Sequence, residues 1–318
     1  MEIRDKMKIL VVGGAGYIGG FLTDYLIENG CDVTVYDVLL FEDRFLKKCK
    51  FIYGDIRDKD KLSNIIGSYD VVVWLAGLVG DGACAVNHRL TKELNVDTVK
   101  WLVDNYDGKI VFPSTCSVYG INNDLIEESA SPNPLSLYAA TKLEAERYVL
   151  DNSENSLVFR LGTLFGLGDR HSRMRLDLVA NILSMRAALN QPLTIFGGDQ
   201  WRPLLHVRDV STAILHGIEN DISGLYNLSY KNFKISSLGE EIKNVMPNCE
   251  IEYTDMKFED LRNYKVKNNK FINTGWRPKY SIHDGIEQIY SLIKENRIKD
   301  TGNVVYSNAA YMRKLNEF

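Results

Sequence analysis

Tyr138 and Lys142 stand four residues apart in Tyr138-Ala139-Ala140-Thr141-Lys142, the interval that puts two side chains on one face of a helix. The interval alone selects nothing, because Tyr230/Lys234, Tyr253/Lys257 and Tyr290/Lys294 repeat it. The first pair is set apart by Ser114-Thr115-Cys116-Ser117-Val118-Tyr119-Gly120, a hydroxyl-rich stretch that follows an apolar run upstream. A tyrosine, a lysine and a hydroxyl residue together can draw a proton from an alcohol while hydride leaves the carbon that bears it. Free tyrosine has a pKa of ~10, so a tyrosine base working at neutral pH needs its phenolate stabilised by roughly 4 kcal/mol. An ammonium at Lys142 is expected to contribute, and Thr115 to orient the reacting oxygen through a hydrogen bond. A surface helical pair would show the same residues; the place after a strand favours the chemical reading. Cys116 adjoins Thr115, but no histidine is placed to activate it, so it reads as a small, partly buried side chain.

Such chemistry needs a hydride acceptor, and the start of the chain offers a place for one. Val11-Val12-Gly13-Gly14-Ala15-Gly16-Tyr17-Ile18-Gly19 runs from a strand into a helix. Gly13, Gly16 and Gly19 permit a tight turn and close backbone approach, while the helix start at Tyr17 and Ile18 offers N–H groups to a pyrophosphate. A turn serving only strand–helix packing would use the same glycines, but Asp37 closes the second strand 18 positions after Gly19. A carboxylate there accepts hydrogen bonds from the ribose of NAD and repels the 2′-phosphate of NADP. Asp55-Ile56 ends a third strand, where a carboxylate near an adenine edge and a plain turn are both compatible with the spacing. Leu75-Ala76-Gly77 ends a fourth, with small residues against which a cofactor can lie.

The elements that must position these residues alternate in the first half of the chain. Apolar runs at Lys8–Val12, Val33–Asp37, Phe51–Tyr53, Val71–Leu75, Ile110–Pro113 and Leu157–Leu161 lack a two-residue period, as strands buried on both faces do. Between them lie helical stretches such as Tyr17–Asn29, capped by Gly30, and Tyr138–Leu150. This is the pattern of an α/β, doubly wound parallel sheet of Rossmann type with a smaller C-terminal substrate-binding lobe. The expected division is a cofactor domain over 1–168, rejoined by about 204–228 through Leu204–Val207 and a helix at Asp209–Glu219, and a lobe from 169–203 and 229–318. A helix is expected near Leu176–Leu189.

Composition narrows the class. With 45% apolar and 25% charged residues the chain reads as ordinary globular protein. A formal charge of −4 without a basic run gives nucleic acid no electrostatic footing. No stretch of about 18 apolar residues suggests a membrane span, and the polar start Met1–Lys6 is unlike a signal peptide, so a cytoplasmic protein is expected. Five cysteines without a CxxC pair, and five histidines without HExxH spacing, point to neither disulfides nor a metal site.

Taken together, the markers resemble the extended short-chain dehydrogenases/reductases, and within them the nucleotide-sugar epimerases and dehydratases, over nearly the whole chain. They are the glycine loop, Gly54-Asp55-Ile56-Arg57-Asp58, Leu75-Ala76-Gly77, Asn95-Val96, Ser114–Gly120, Tyr138–Lys142 and Arg202-Pro-Leu-Leu-His206-Val207-Arg208-Asp209. The resemblance implies catalysis by Thr115, Tyr138 and Lys142. It implies NAD held by Gly13, Gly16, Tyr17, Ile18, Gly19, Asp37, Asp55, Ile56, Leu75, Ala76, Gly77, Tyr138 and Lys142. Arg202, and Arg262 within Asp260-Leu261-Arg262-Asn263-Tyr264, look like arginines that grip the diphosphate of a sugar nucleotide, a role the guanidinium fork suits. A homodimer through helices near Asn87–Asn105 and Tyr138–Leu150 is also implied. Two departures matter: 4,6-dehydratases carry Asp-Glu where this chain has Cys116-Ser117, and many 4-epimerases carry Asn where it has Thr163. The expected activity is NAD-dependent epimerisation of a nucleotide sugar through a keto intermediate, as in UDP-glucose 4-epimerase. The alternatives are a one-way dehydrogenase or ketoreductase, a 4,6-dehydratase-like enzyme, and a non-catalytic dinucleotide sensor. Arg173-Met174-Arg175-Leu176-Asp177-Leu178 is unusually charged for the start of a substrate-lobe helix, and one of its arginines is expected to reach a charged substituent.

Overall fold

The apolar runs become strands because each has two faces to bury. In β1 (Lys8–Val12), Ile9 and Val11 pack into one apolar core and Leu10 and Val12 into another on the opposite face. The structure, a computed structural model, describes residues 6–169, 171–254 and 262–316. After β1 come α1 (Tyr17–Glu28), β2 (Asp32–Asp37), β3 (Lys50–Tyr53), α2 (Lys59–Ile66) and β4 (Val71–Trp74). Then follow α3 (Asp81–Cys84), α4 (His88–Lys92), α5 (Thr98–Asn105), β5 (Lys109–Thr115), β6 (Ile121–Ile126), α6 (Leu137–Asn152) and β7 (Ser156–Leu161). The second half holds β8 (Thr163–Phe165), α7 (Val179–Ala188), β9 (Leu193–Phe196), β10 (Trp201–His206), α8 (Val207–Glu219), β11 (Gly224–Leu228) and β12 (Lys231–Lys234). It continues through α9 (Ile235–Val245), β13 (Ile251–Thr254), β14 (Asn263–Val266), α10 (Asn269–Ile272), α11 (Ile282–Lys294) and α12 (Asn308–Asn316).

Seven strands form one parallel sheet in the order β11-β7-β5-β4-β1-β2-β3. The direction of winding reverses between β1 and β4, and the crevice outside their carboxyl ends is where this fold binds ligands. The run at Leu204–Val207 does not rejoin this sheet. It lies in β10, which pairs in parallel with β8 and antiparallel with β12. Leu204 faces the core of the second lobe and Leu205 that of the first, so β10 fastens one to the other. The return is made by α8, which packs with β1 and β2 residues in the first core, and by β11, which pairs with β7. The charged segment before α7 stays outside the helix: Leu178 has ψ 138°, and the Asp177 carboxylate, instead of capping the helix, takes the Arg175 fork and the Asn308 N–H. Among the described residues no helix is long and apolar enough to cross a membrane.

Candidate active site

The glycine loop and the end of β4 meet at the reversal of the sheet. Gly13 has φ +85°, and a Cβ there would lie 2.6 Å from the Ala76 backbone nitrogen, so only glycine lets the two loops touch. Gly19 is equally confined, its Cβ position 2.5 Å from the Gly14 Cα. Helix α1 begins at Gly16, which has no side chain to cap the first-turn N–H groups, so they remain open to an anion. Asp37 stands beside the loop and accepts hydrogen bonds from the Ala15 and Leu39 N–H groups at 3.0 and 2.7 Å. Burial pushes its carboxyl pKa up, against the pull of those N–H groups. Asp55 is engaged by a fork from Arg57, at 2.6 Å, which holds it below the usual carboxylate range. Ile56 is buried behind it. Gly77 is pressed on the Asn95 side chain, which accepts from the Leu78 N–H and donates to the Leu78 carbonyl, pinning the loop after β4. Asn95 lies in a π-helical turn at Glu93–Asp97 between α4 and α5, a local irregularity often found at functional sites. The loop, the uncapped α1 and Asp37 form a cradle that fits a dinucleotide.

Thr115 is the last residue of β5, and its hydroxyl accepts from the Ser117 N–H at 3.1 Å. Tyr138 enters on the first turn of α6, which Ser136 caps by accepting from the Ala139 N–H. The Thr115 side chain lies near enough to the Tyr138 hydroxyl to favour its ionised form. One turn on, the Lys142 ammonium sits 3.9 Å above the centre of the Phe112 ring. Two carboxyl-end elements thus bring together the trio read from the sequence. Their protonation is not as expected: burial, followed by the nearby Cys84, raises the Tyr138 hydroxyl well above its ordinary value. Burial also pushes Lys142 down to about 7, while Glu146 pulls it back up. In the protein alone, removal from water outweighs the opposing pull of Thr115 and Arg175, and Tyr138 holds its proton.

Arg202 and Arg262, 60 positions apart, meet: an Arg202 N–H donates to the Arg262 carbonyl, and the Arg202 guanidinium lies over Tyr264. The Arg262 guanidinium donates to Ser117 Oγ at 2.9 Å and pairs with Asp81 at 3.1 Å. Ser117 therefore links the two-arginine cluster to Thr115, its N–H on one and its hydroxyl on the other. Asp260 and Leu261 lie outside the described residues. Cys116 is fully buried, its thiol pushed up and donating to the Arg160 carbonyl, which removes it as a nucleophile. His206 is pushed down to about 4 by burial and bonds Gln288, a structural placement.

The sequence reading missed four participants. Asp81 holds both Arg262 and Ser136, and Cys84, Leu78 and Met312 surround Tyr138. Asp81 and Cys84 belong to the four-residue α3, too short to show a period, and Met312 comes from α12, more than 170 residues after Tyr138.

With this geometry in view, the comparisons with known proteins decide the family. The sequence pattern of the NAD dependent epimerase/dehydratase family matches residues 9–229. The chain belongs to that family. A putative UDP-glucose 4-epimerase of Methanocaldococcus jannaschii is 30% identical over 305 residues, covering 91% of this chain and 99% of the relative. A CDP-paratose 2-epimerase of Salmonella typhi is 27% identical over 336 residues, covering 89% of this chain and 98% of the relative. Among solved structures, the UDP-glucose 4-epimerase of Thermotoga maritima with UDP-glucose superposes with a TM-score of 0.81 at 25% identity, covering 92% of this chain and 100% of that one. As a member of the NAD dependent epimerase/dehydratase family the chain has the Rossmann-type fold and NAD as cofactor.

Proposed function

We propose that the chain is a nucleotide-sugar epimerase in which a sugar carbon is oxidised to a ketone and reduced again from the other side. The observation that carries this reading is the linkage through Ser117, whose N–H donates to Thr115, a neighbour of Tyr138, and whose hydroxyl accepts from Arg262, with Arg202 next to it. A diphosphate on the arginines then presents its sugar to the tyrosine. Bound across the cradle, NAD supplies a two-electron acceptor and, when oxidised, a positive charge. Tyr138 Oη takes the proton of the sugar hydroxyl and later returns it, and Thr115 Oγ1 orients the same oxygen. Lys142, with its pKa near 7, holds or releases a proton one helical turn behind. Water elimination is disfavoured because Cys116 is buried and Ser117 is taken by Arg262, which leaves no acid–base pair next to Thr115. The homodimer through α4, α5 and α6, and a cytoplasmic location, belong to the same reading.

The test is to incubate the purified protein with UDP-, GDP-, CDP- and dTDP-sugars without added cofactor, following reduced nicotinamide by absorbance and products by NMR. Inversion without net NADH is expected. Net redox, or turnover only with added cofactor, would replace epimerisation with one-way dehydrogenation or ketoreduction. Tyr138→Phe is expected to keep NAD bound and to lower turnover by at least ~10²-fold; full activity in that variant would remove Tyr138 from the mechanism.

A further inference from the structure

Arg173 is a buried cation with no carboxylate at ion-pair distance among the described residues. It is 6% exposed; one guanidinium N–H donates to the Val305 carbonyl at 3.0 Å, and its Nε is buried without a partner. The guanidinium stacks 3.4 Å from the centre of the Phe41 ring. Four charged or titratable groups surround it. Asp177 is committed to the Arg175 fork and the Asn308 N–H, and Arg175 repels it. Glu42 has its own carboxyl pushed up by burial, and Tyr311 is the fourth neighbour. Burial is the main cause that brings Arg173 down to about 10, so it stays charged at neutral pH with little to balance it.

Its chain neighbours, though not Arg173 itself, border a cavity at the glycine loop. Ser172, just before it, and Glu42, just after its stacking partner, both line a cavity of about 230 Å³ with Gly14, Ala15, Gly20 and Lys47. Ser172 lies against α1, since a Cβ at Gly20 would fall 2.7 Å from the Ser172 Cα. The segment carrying Arg173 therefore crosses the first turn of α1, whose N–H groups no side chain caps. We propose that Arg173 reaches from the second lobe to the pyrophosphate of the dinucleotide, which is held between this guanidinium and the N-terminus of α1. The inference rests on the dinucleotide cradle of the proposed function.

The experiment is calorimetric titration of the full chain, stripped of nucleotide, with ADP-ribose and with adenosine. Arg173→Gln is expected to weaken ADP-ribose by about 10–100-fold, the scale of a lost charge-assisted hydrogen bond, and to leave adenosine unchanged. Arg173→Met is expected to leave thermal unfolding of the nucleotide-free protein unchanged or raised, because it removes an unbalanced buried charge. Equal weakening of both ligands, or a Met variant that unfolds earlier, would make Arg173 a structural residue and overturn the proposal. An unchanged ADP-ribose affinity with a raised KM for sugar nucleotides would assign the cation to the substrate instead. A wild-type chain that binds neither probe would sink the cradle itself, an outcome separate from these.

Discussion

The proposed reaction asks Tyr138 to lose a proton where burial opposes the loss, and Lys142 to keep one in the same surroundings. The phenol stays protonated without a further positive charge nearby, so activity is gated by what occupies the cradle. The sequence displayed the three side chains but not this balance, because burial depends on Cys84, Leu78 and Met312, which no local spacing announces. Lys142 carries a testable consequence. Its folded value of about 7 lies below the ~10.4 of an unfolded lysine, so between them the unfolded chain binds more protons and stability rises with pH. Nucleotide-free protein is expected to gain stability between pH 7 and 8, by at most ~1.4 kcal/mol for this group, before the thiols raised by burial begin to act oppositely. Urea unfolding at the two pH values should show the gain in wild type and its loss in Lys142→Met; an unchanged slope would place the titration elsewhere.

Helix α6 presents both Tyr138 and Lys142, and a buried ion pair sets its position. Glu146, one turn past Lys142, accepts from Arg160 of β7 at 2.5 Å and from Ser114 of β5 at 2.5 Å, with 1% and 4% of the two charged side chains exposed. Arg160 also donates to the Tyr119 hydroxyl at 2.8 Å. This network ties the helix to β5, which ends in Thr115, and to its neighbour β7. No spacing in the sequence pairs Glu146 with Arg160, since only the crossing of α6 over β5 and β7 brings them together. Glu146→Ala leaves the guanidinium buried and unpaired, and is expected to lower unfolding free energy by about 3–5 kcal/mol in denaturant titrations. Replacing both by Met should recover most of the stability but not the activity, because packing then returns without the hydrogen bonds that fix the angle of α6. A double variant with full turnover would show that the helix needs no such anchor.

Across the whole molecule, the mouth of the cradle is fastened by Lys47, whose ammonium lies 2.8 Å from Asp24 of α1 and 2.6 Å from Asp169, with 2% of its side chain exposed. The pair holds the loop after β2, the first helix and the start of the second lobe at one point. Lys47→Met is expected to raise hydrogen exchange in residues 38–49 and 167–173 together, at a stability loss of about 1–3 kcal/mol because the carboxylates are partly exposed. Faster exchange in only one of the two segments would show that Lys47 does not couple them. The sequence by itself determined the α/β class and the glycine turn, and it displayed Asp37, Thr115, Tyr138 and Lys142 as candidate site residues. All of these depend on short-range rules, namely unbroken apolar runs, glycine geometry and helical spacing. Only the tertiary structure decided that Arg202 meets Arg262 and Arg262 meets Ser117, that β10 belongs to the second sheet, that Ser172 lies against α1, and that Tyr138 keeps its proton. Those outcomes depend on contacts between residues far apart in the chain and on how much water they exclude, quantities that no local pattern of residues encodes.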